Sequence, residues 1–519
     1  MTSSPLEQNQ DVKGDRNQTI GQMLGGTAIG NVEQNVTLNQ TVQPQPRQLT
    51  LHQLPPDIAD FTGRGEELQQ LRKCLQADGE TAVVISAVAG MGGVGKSALA
   101  IRTAHQLTGQ FPDAQFYVDL RGADGEPLDP HDVLARWLRA FGLDEGTMPR
   151  ELRERAAAFR DRLSTMRAIV LLDNAADEAQ VRPLLPGSAS CAVIVTSRRR
   201  LGALPGAEIL DLAVLPVAEA MALLAKVSGR GWSEAERGVA LQIVTLCGRL
   251  PLALRIAGGT LKEKRHWTLG SYASRLADER QRLERLKLSD LDVRASFMLS
   301  HGELREEAAR LFRWLGLMEH DFGLAVAAVL LAVEEPQAEA AIEALVDAQL
   351  LEVRAVEGGI RYACHDLVRL LAQEELERET EEARNGVRRR VMQHYLERSN
   401  AMDDCLSPVA RRSMAQDLAE QQDRPLEEIE LALQLQARSW FERERQNLLM
   451  SDRWAIEQED WATVVSFAPN LGPFFRLRGY WGDAVWAGEQ ALSAAQQQGD
   501  RYGEGQTLGN LGNVYQGQG

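Results

Sequence analysis

Eight consecutive residues, GMGGVGKS at positions 90–97, have the types and spacing of a phosphate-binding loop. An apolar run typical of a buried strand precedes them, and apolar residues at helical spacing follow. In such a loop, backbone N–H groups and the helix N-terminus bind the β-phosphate, the lysine reaches the β- and γ-phosphates, and the hydroxyl binds Mg²⁺. The chain is therefore predicted to bind a nucleoside triphosphate. The residues predicted to contact it are Gly90, Gly92, Gly93, Val94, Gly95, Lys96, Ser97 and Ala98.

Two further polar residues follow predicted strands. Asp173 ends the apolar run Ala168–Leu172, and Arg198 follows the run Cys191–Val195. The carboxyl ends of parallel strands share one edge of a sheet, so both residues are expected beside the phosphate-binding loop. Asp173 is predicted to hold Mg²⁺ together with Ser97. Arg198 is predicted to sense the γ-phosphate, and the alternative is a solvated arginine in a basic run.

Length and composition restrict the class of protein. A chain of 519 residues exceeds one hydrophobic core, and we expect three or four domains. The net charge of −16 argues against broad affinity for nucleic acid. Five cysteines without metal-type spacing indicate reduced thiols in a cytoplasmic protein. The sequence has no apolar run of membrane-spanning length and no secretory pattern, so we expect no membrane partner.

The order of patterns predicts the fold of the first two domains. Apolar runs alternating with helical patterns predict a doubly wound parallel sheet, the α/β fold of P-loop NTPases, over residues 51–212. Helical patterns without strands follow over residues 213–290, where Pro251 is predicted to begin a helix. The predicted strands are Ala82–Ile85, Gln115–Asp119, Ala168–Leu172, Cys191–Val195 and Glu208–Leu212.

A small winged-helix domain is predicted over residues 291–370. Two amphipathic helices, Glu306–Leu317 and Ala338–Leu345, precede a hairpin formed by Leu350–Val356 and Ile360–His365. The second helix carries glutamates and no lysine or arginine. Phosphate contacts supply most DNA affinity, so nucleic acid is not expected as a partner.

Only helices are predicted after this domain. Residues 371–460 form a helical linker, and residues 461–519 have the pattern of tetratricopeptide-like helical hairpins. A Leu-Gly pair recurs there after 40 residues, at Leu471 and Leu511. Because so few repeat helices bury their faces poorly, we expect the chain to be a truncation of a longer array.

Taken together, these motifs resemble the NB-ARC class of STAND signalling ATPases, which includes apoptosome scaffolds and plant immune receptors. The resemblance extends over about residues 57–370. It implies that Phe61 and Arg64 lie near the adenine and that Pro251 touches its ring. It also implies that His365 contacts the β-phosphate of bound ADP. The matching segments are Phe61–Leu68, Gly90–Ser97 (Walker A), Ile169–Ala175 (Walker B), Thr196–Arg198 (sensor), Gly248–Leu254 and Cys364–Arg369.

The resemblance implies a nucleotide-gated signalling switch. ADP and Mg²⁺ would hold the protein closed, and ATP would open it for assembly into a homo-oligomer. The C-terminal repeats would sense an unknown protein trigger. Two residues depart from the family pattern: Cys364 replaces a methionine, and Asn174 replaces a second acid. An amide is a poor base, so hydrolysis is expected to be slow or to use another group. Two alternatives remain: an NB-ARC transcriptional regulator and a constitutive P-loop ATPase.

The first 50 residues differ in composition from the remainder of the chain. They are rich in Gln, Asn, Gly and Thr, and Glu33 is the sole charged residue between Asn17 and Pro46. One interpretation is a disordered tail. The other is a cross-β segment, because residues 17–34 resemble the amyloid signalling motifs of multicellular bacteria. In that case residues 12–42 would form fibrils and recruit a cell-killing effector with a matching motif, as in bacterial immunity.

Overall fold

The computed structural model describes residues 51–75, 84–122, 127–144, 146–356 and 358–518. The amide-rich segment predicted at residues 1–50 lies outside the described residues, and its two interpretations stay predictions. The described residues form a parallel sheet with flanking helices, followed by mostly helical regions. The predicted fold class is confirmed.

A six-stranded, wholly parallel sheet in the order β1-β3-β4-β5-β2-β6 forms the first domain. The central strands β4 and β5 are buried on both faces, which is the reason that they read as continuous apolar runs. In β4, Ile169 and Leu171 belong to the core on one side of the sheet, and Val170 and Leu172 to the core on the other. The strands are β1 (Leu51–His52), β2 (Val84–Ala89), β3 (Ala114–Asp119), β4 (Ala168–Ala175), β5 (Ala192–Ser197) and β6 (Ala207–Asp211).

Helices cover both faces of this sheet. On one face, Trp137 stacks on Phe159 with ring centroids 5.0 Å apart, and both contact Phe116 of β3. α3 begins at Pro130 behind the capping carboxylate of Asp129, so its start is encoded locally. The helices are α1 (Gly65–Leu75), α2 (Lys96–Leu107), α3 (Pro130–Ala140), α4 (Leu152–Leu163) and α5 (Glu178–Val181), with a 3₁₀ turn at Arg182–Leu184.

Five helices follow the sheet over residues 217–285, and the strand β7 (Lys287–Leu288) lies within the range 213–290 for which only helices were expected. Pro251 occupies the first turn of α8, as predicted, because a helix start needs no N–H at that position. The helices are α6 (Val217–Ser228), α7 (Glu234–Leu246), α8 (Pro251–Glu263), α9 (Leu269–Ala277) and α10 (Glu279–Arg285).

Residues 287–376 combine helices with two small hairpins. Their order of elements is the one expected of a winged helix, and that assignment stays a prediction. The second hairpin ends at Ala363, two residues earlier than predicted, so His365 caps the following helix instead of ending a strand. The elements are β7 (Lys287–Leu288), β8 (Leu291–Asp292), α11 (Val293–Gly302), α12 (Glu306–Leu315), α13 (Leu324–Leu331), α14 (Glu335–Asp347), β9 (Glu352–Val356), β10 (Gly359–Ala363) and α15 (Asp366–Leu376).

Six long helices form the C-terminal region. Within them, α19 to α21 have 18 residues each and pack successively on one another, which is compatible with the predicted repeat hairpins. Among the described residues, no helix has the length and apolarity of a membrane span. The helices are α16 (Glu381–Leu406), α17 (Pro408–Gln422), α18 (Leu426–Glu457), α19 (Trp461–Arg478), α20 (Trp481–Gln498) and α21 (Arg501–Gln518).

Candidate nucleotide-binding site

The loop between β2 and α2 curls tightly because three of its glycines have left-handed or related backbone angles. The φ values are 149° at Gly90, 78° at Gly93 and 98° at Gly95, a region that disfavours any side chain. Neighbouring elements also approach the loop closely. A Cβ on Gly93 would lie 2.9 Å from that of Leu252, and one on Gly92 would lie 2.5 Å from the Ser296 hydroxyl. The glycines therefore serve both the turn and the packing of α8 and α11 against it.

Lys96 begins α2 and folds back over the loop. Its ammonium donates to the carbonyls of Gly90 at 2.5 Å and Met91 at 3.0 Å. Burial and the positive charge of Arg198 lower the pKa of Lys96 to about 7, and Asp173 opposes this shift. Phosphate oxygens beside this ammonium would favour its charged form and exchange carbonyl contacts for stronger charged ones.

Asp173, at the carboxyl edge of β4, is held by three hydroxyl groups. Its Oδ1 accepts from Ser97 at 2.7 Å and from Thr196, and its Oδ2 accepts from Tyr117 at 3.3 Å. Burial and the neighbouring Asp173 raise the pKa of the Tyr117 phenol, which keeps it a donor. The predicted pair Ser97 and Asp173 is therefore assembled. A hydroxyl and a carboxylate beside a phosphate loop form the oxygen donor set that fits Mg²⁺.

Arg198, at the end of β5, lines the cavity as predicted, but its guanidinium extends toward α11. It donates to the Ser296 carbonyl at 2.7 Å and lies 3.3 Å from the Ser300 hydroxyl. These serines are four residues apart and share one face of that helix. The predicted γ-phosphate sensor is thus bonded to an element outside the nucleotide domain.

Phe61 and Pro251 also line the cavity, and the Pro251 ring lies beside the phosphate loop, 3.9 Å from where a Cβ on Gly95 would be. An ion pair between Asp60 and Arg255 at 3.3 Å lines the same cavity. An apolar slot with a few polar groups suits a purine base. The predicted places of Phe61 and Pro251 beside an adenine stay predictions.

Arg64 also lines the cavity, but its charged group braces protein instead of facing open space. The guanidinium donates to the carbonyls of Val94 and Ala213 and pairs with Glu67 at 2.7 Å. The residue is buried and has a φ of 64°, outside the usual range for a side chain of this size. Arg64 therefore ties the phosphate loop to the segment before α6.

His365 lies outside the cavity lining. Its Nδ1 accepts the Leu367 N–H at 3.2 Å as a helix cap, so its Nε2 carries the proton and donates to the Gly248 carbonyl at 2.9 Å. Both ring nitrogens are therefore engaged. The implied contact with a β-phosphate would require the bond to Gly248 to break, and it stays a prediction.

These parts surround one cavity of about 600 Å³. The sequence alone does not identify several of its lining residues, because a single residue of these types does not indicate a binding site. The sequence identifies Thr196 only as part of the sensor strand and Asp119 only as a strand end. The unpredicted lining residues include Asp119, Asn174, Leu215, Leu223, Leu252, Arg255 and Leu291.

Comparison with known proteins agrees with this geometry. Residues 64–230, which include the phosphate loop, Asp173 and Arg198, match the NB-ARC domain. The match covers 167 of the 519 residues of the chain. It gives the chain a nucleotide-binding domain of the P-loop NTPase type, as the motifs predicted.

Relatives with this domain come from bacteria and plants. The chain is 47% identical to the regulatory protein AfsR of Streptomyces coelicolor over 326 residues, which are 62% of this chain and 32% of that protein. It is 24% identical to the disease resistance protein RML1A of Arabidopsis thaliana, over 62% of this chain and 32% of that protein. The chain thus spans about a third of the length of these relatives.

Two solved structures were also matched, both at low similarity. One is a STAND protein with a tetratricopeptide repeat sensor from Pyrococcus horikoshii, with a TM-score of 0.28 and 17% identity, covering 89% of this chain and 75% of that one. Another is a Walker-type ATPase of Pyrococcus abyssi, with a TM-score of 0.44 and 15% identity, covering 63% of this chain and 99% of that one.

Proposed function

We propose that the protein is an ADP/ATP-gated signalling switch of the STAND type. The observation that carries this proposal is the double attachment of α11 to the nucleotide site. Ser296 accepts a hydrogen bond from Arg198, and its hydroxyl lies against Gly92 of the phosphate loop. Helix α11 therefore contacts both Arg198 and the phosphate loop, the two groups that would meet a γ-phosphate.

A second attachment joins the same segment to the helical domain. His365 donates to the Gly248 carbonyl, and Gly248 belongs to the turn that leads into α8. The N–H of Leu252, in the first turn of α8, donates to the Gly93 carbonyl at 3.1 Å. We call the turn 248–252, α11 and His365 together the cover of the site. The cover joins three separate parts of the chain around one phosphate loop.

Competition for Arg198 gives the switch its direction. With ADP and Mg²⁺ bound, Arg198 keeps its bond to α11 and the cover stays in place. With ATP, the γ-phosphate offers Arg198 a charged acceptor, which is stronger than the Ser296 carbonyl. Moving a two-state equilibrium from 1:99 to 99:1 needs about 5.5 kcal/mol, so loss of several cover contacts together is required.

Assembly and signalling would involve further parts of the chain. Opening would expose surfaces that are now covered, and copies of the chain would assemble through them. The helices α16 to α21 would receive the trigger, and the N-terminal segment would recruit the effector. ATP hydrolysis, with Ser97 and Asp173 holding Mg²⁺, would return the protein to the closed form.

Nucleotide content and mass test the switch. The protein is purified, denatured and analysed by anion-exchange chromatography for bound nucleotide. Its mass is then measured by light scattering with ADP and with a non-hydrolysable ATP analogue, each with Mg²⁺. We expect retained ADP, a monomer with ADP and a larger species with the analogue. An unchanged mass would refute the switch, and rapid steady turnover would favour a constitutive ATPase.

A second candidate, a transcriptional regulator, is favoured by the 47% identity to a protein named as regulatory. The recognition helix would have to be another than α14, which contains no lysine or arginine. Fluorescence anisotropy with a mixed-sequence DNA duplex, over a range of salt concentrations, tests this candidate. Binding that weakens as salt rises would support it.

A further inference from the structure

The cavity contains a carboxylate to which neither the motifs nor the comparison with known proteins assigns a role. Three carboxylates line it within the described residues: Asp60, Asp119 and Asp173. Asp60 pairs with Arg255, and Asp173 is held by three hydroxyl groups in the position expected for Mg²⁺. Asp119 remains.

Asp119 ends β3 and lies directly across the sheet from Asp173, with which it is in register. Its Oδ1 accepts the Arg121 N–H at 2.9 Å and lies 3.4 Å from the side-chain amide nitrogen of Asn174. Among the described residues, no donor reaches its Oδ2. The residue is exposed, so its carboxylate can meet water at the edge of the cavity.

Asn174 supports Asp119 through its own unusual backbone. Its φ is 53°, and its N–H donates to the Thr196 hydroxyl at 2.9 Å, so β4 bends at the residue after Asp173. This bend places the Asn174 amide toward the neighbouring strand. An amide donates hydrogen bonds but is a poor proton acceptor. Asn174 thus occupies the position of the missing second acid but cannot accept a proton as that acid would.

We propose that Asp119 is the base that activates water for ATP hydrolysis and that Asn174 positions it. This inference rests on the proposed function. The oxygen of water attacks the γ-phosphorus, and the bond from that phosphorus to the β–γ bridging oxygen breaks. The bridging oxygen leaves with the electron pair as part of ADP. One proton of the water passes to Asp119 Oδ2 and then to solvent, and the other stays on the oxygen that joins the phosphorus, which leaves ADP and inorganic phosphate.

The test compares Asp119→Asn and Asp119→Ala with the parent protein under single-turnover conditions, with radiolabelled ATP and Mg²⁺. Asp119→Asn keeps the size of the side chain and an oxygen that can accept from Arg121. A base contributes about a hundredfold to ten-thousandfold, so we expect both variants to hydrolyse ATP slower by that factor. Retained nucleotide, measured after denaturation, should be unchanged in both. ATP-loaded Asp119→Asn should also keep its assembled mass longer in light scattering.

Two further variants sharpen the test. Asn174→Asp, which places an acid after Asp173, should restore a large part of the rate in the Asp119→Asn background. Asp132→Asn, an exposed aspartate of α3 with 75% of its side chain accessible, is the matched control and should behave as the parent does.

Several outcomes would overturn the role of Asp119. Loss of the rate in Asp119→Ala but not in Asp119→Asn would make Asp119 a positioning residue. A higher Mg²⁺ requirement in Asp119→Asn would make it a metal ligand. A parent protein that holds ATP without hydrolysing it would refute the base and leave the switch intact. A parent that retains no nucleotide would refute the switch itself, and the role of Asp119 with it.

Discussion

The two sides of the nucleotide cavity differ in how they are built. The phosphate side consists of neighbouring strand ends of one sheet and the loop after β2. The cover, by contrast, joins the turn 248–252, α11 and His365, which the chain brings together across more than a hundred residues. The first side is a rigid product of strand register. The second is joined to the loop by a few single hydrogen bonds and by the close packing of Leu252 and Ser296, and it is the side that we expect a ligand to displace.

The largest effect is expected on the rigid side, from Lys96→Ala. Lys96 is the cation that the phosphate loop itself presents, and a charge-assisted hydrogen bond contributes about 1.5–3 kcal/mol. Because Lys96 reaches more than one phosphate, we expect loss of nucleotide of at least about a hundredfold. Retained nucleotide after denaturation measures this loss, and circular dichroism checks the fold.

The matched control for this prediction is Lys262→Ala, which removes an exposed lysine from the last turn of α8. It should retain nucleotide as the parent does. Equal retention by Lys96→Ala and the control would show that the loop does not hold the phosphates.

The contrast also explains which features the sequence could predict. The loop, the helix after it and the aspartate near the end of β4 are each encoded within about ten residues. Most ends of the five predicted strands lie within two residues of the observed ends. The strand order and β1 were not predicted, because a two-residue edge strand leaves no periodic pattern. The fold class followed from alternation of strands and helices, which requires no knowledge of pairing.

The cover could not be predicted in the same way. The bond of Arg198 to Ser296 joins residues 98 apart in sequence, and neither residue carries a signal for the other. The role of His365 was inferred by resemblance alone, and the structure places it on Gly248. Arg64 likewise braces Val94 and Ala213, a role that no local pattern encodes. Such contacts follow from domain packing and not from local propensity.

A smaller but more specific effect is expected from Arg198→Ala, which affects both sides of the cavity. In the closed form the variant would lose the bond to Ser296, and with ATP bound it would lose the contact to the γ-phosphate. One charged hydrogen bond corresponds to about ten- to hundredfold. We therefore expect somewhat faster ADP release, because one contact of the cover is lost, and ATP-dependent assembly weakened by up to that factor.

Light scattering with the ATP analogue measures the assembly of Arg198→Ala. Arg200→Ala is the matched control, because Arg200 lies two residues further on and forms an exposed ion pair with Asp211 of β6, within the same domain. If both variants assembled as the parent does, Arg198 would be a packing residue.

Gly248→Ala is expected to weaken the cover by steric means. Gly248 has a φ of 59°, where a side chain costs about 1 kcal/mol or more. An added Cβ would lie 2.2 Å from His365 Cε1, so the imidazole must move away. We expect faster ADP release, measured by chasing a fluorescent ADP with unlabelled ADP. Gly270→Ala, on a surface helix without neighbours within 4 Å, should release ADP at the parental rate.

The smallest effect is expected from His365→Ala, and it is the one that separates the two interpretations of this histidine. If His365 only donates to Gly248, its loss removes one neutral hydrogen bond and a cap, about 0.5–1.5 kcal/mol each. ADP release should then accelerate by about two- to tenfold. The double variant, His365→Ala with Gly248→Ala, should release ADP no faster than the faster single variant, because both changes break the same contact. If His365 instead contacts the β-phosphate of ADP, the double variant should exceed either single one. Additive effects of the two substitutions would therefore refute the proposal that His365 holds the cover through its hydrogen bond to Gly248.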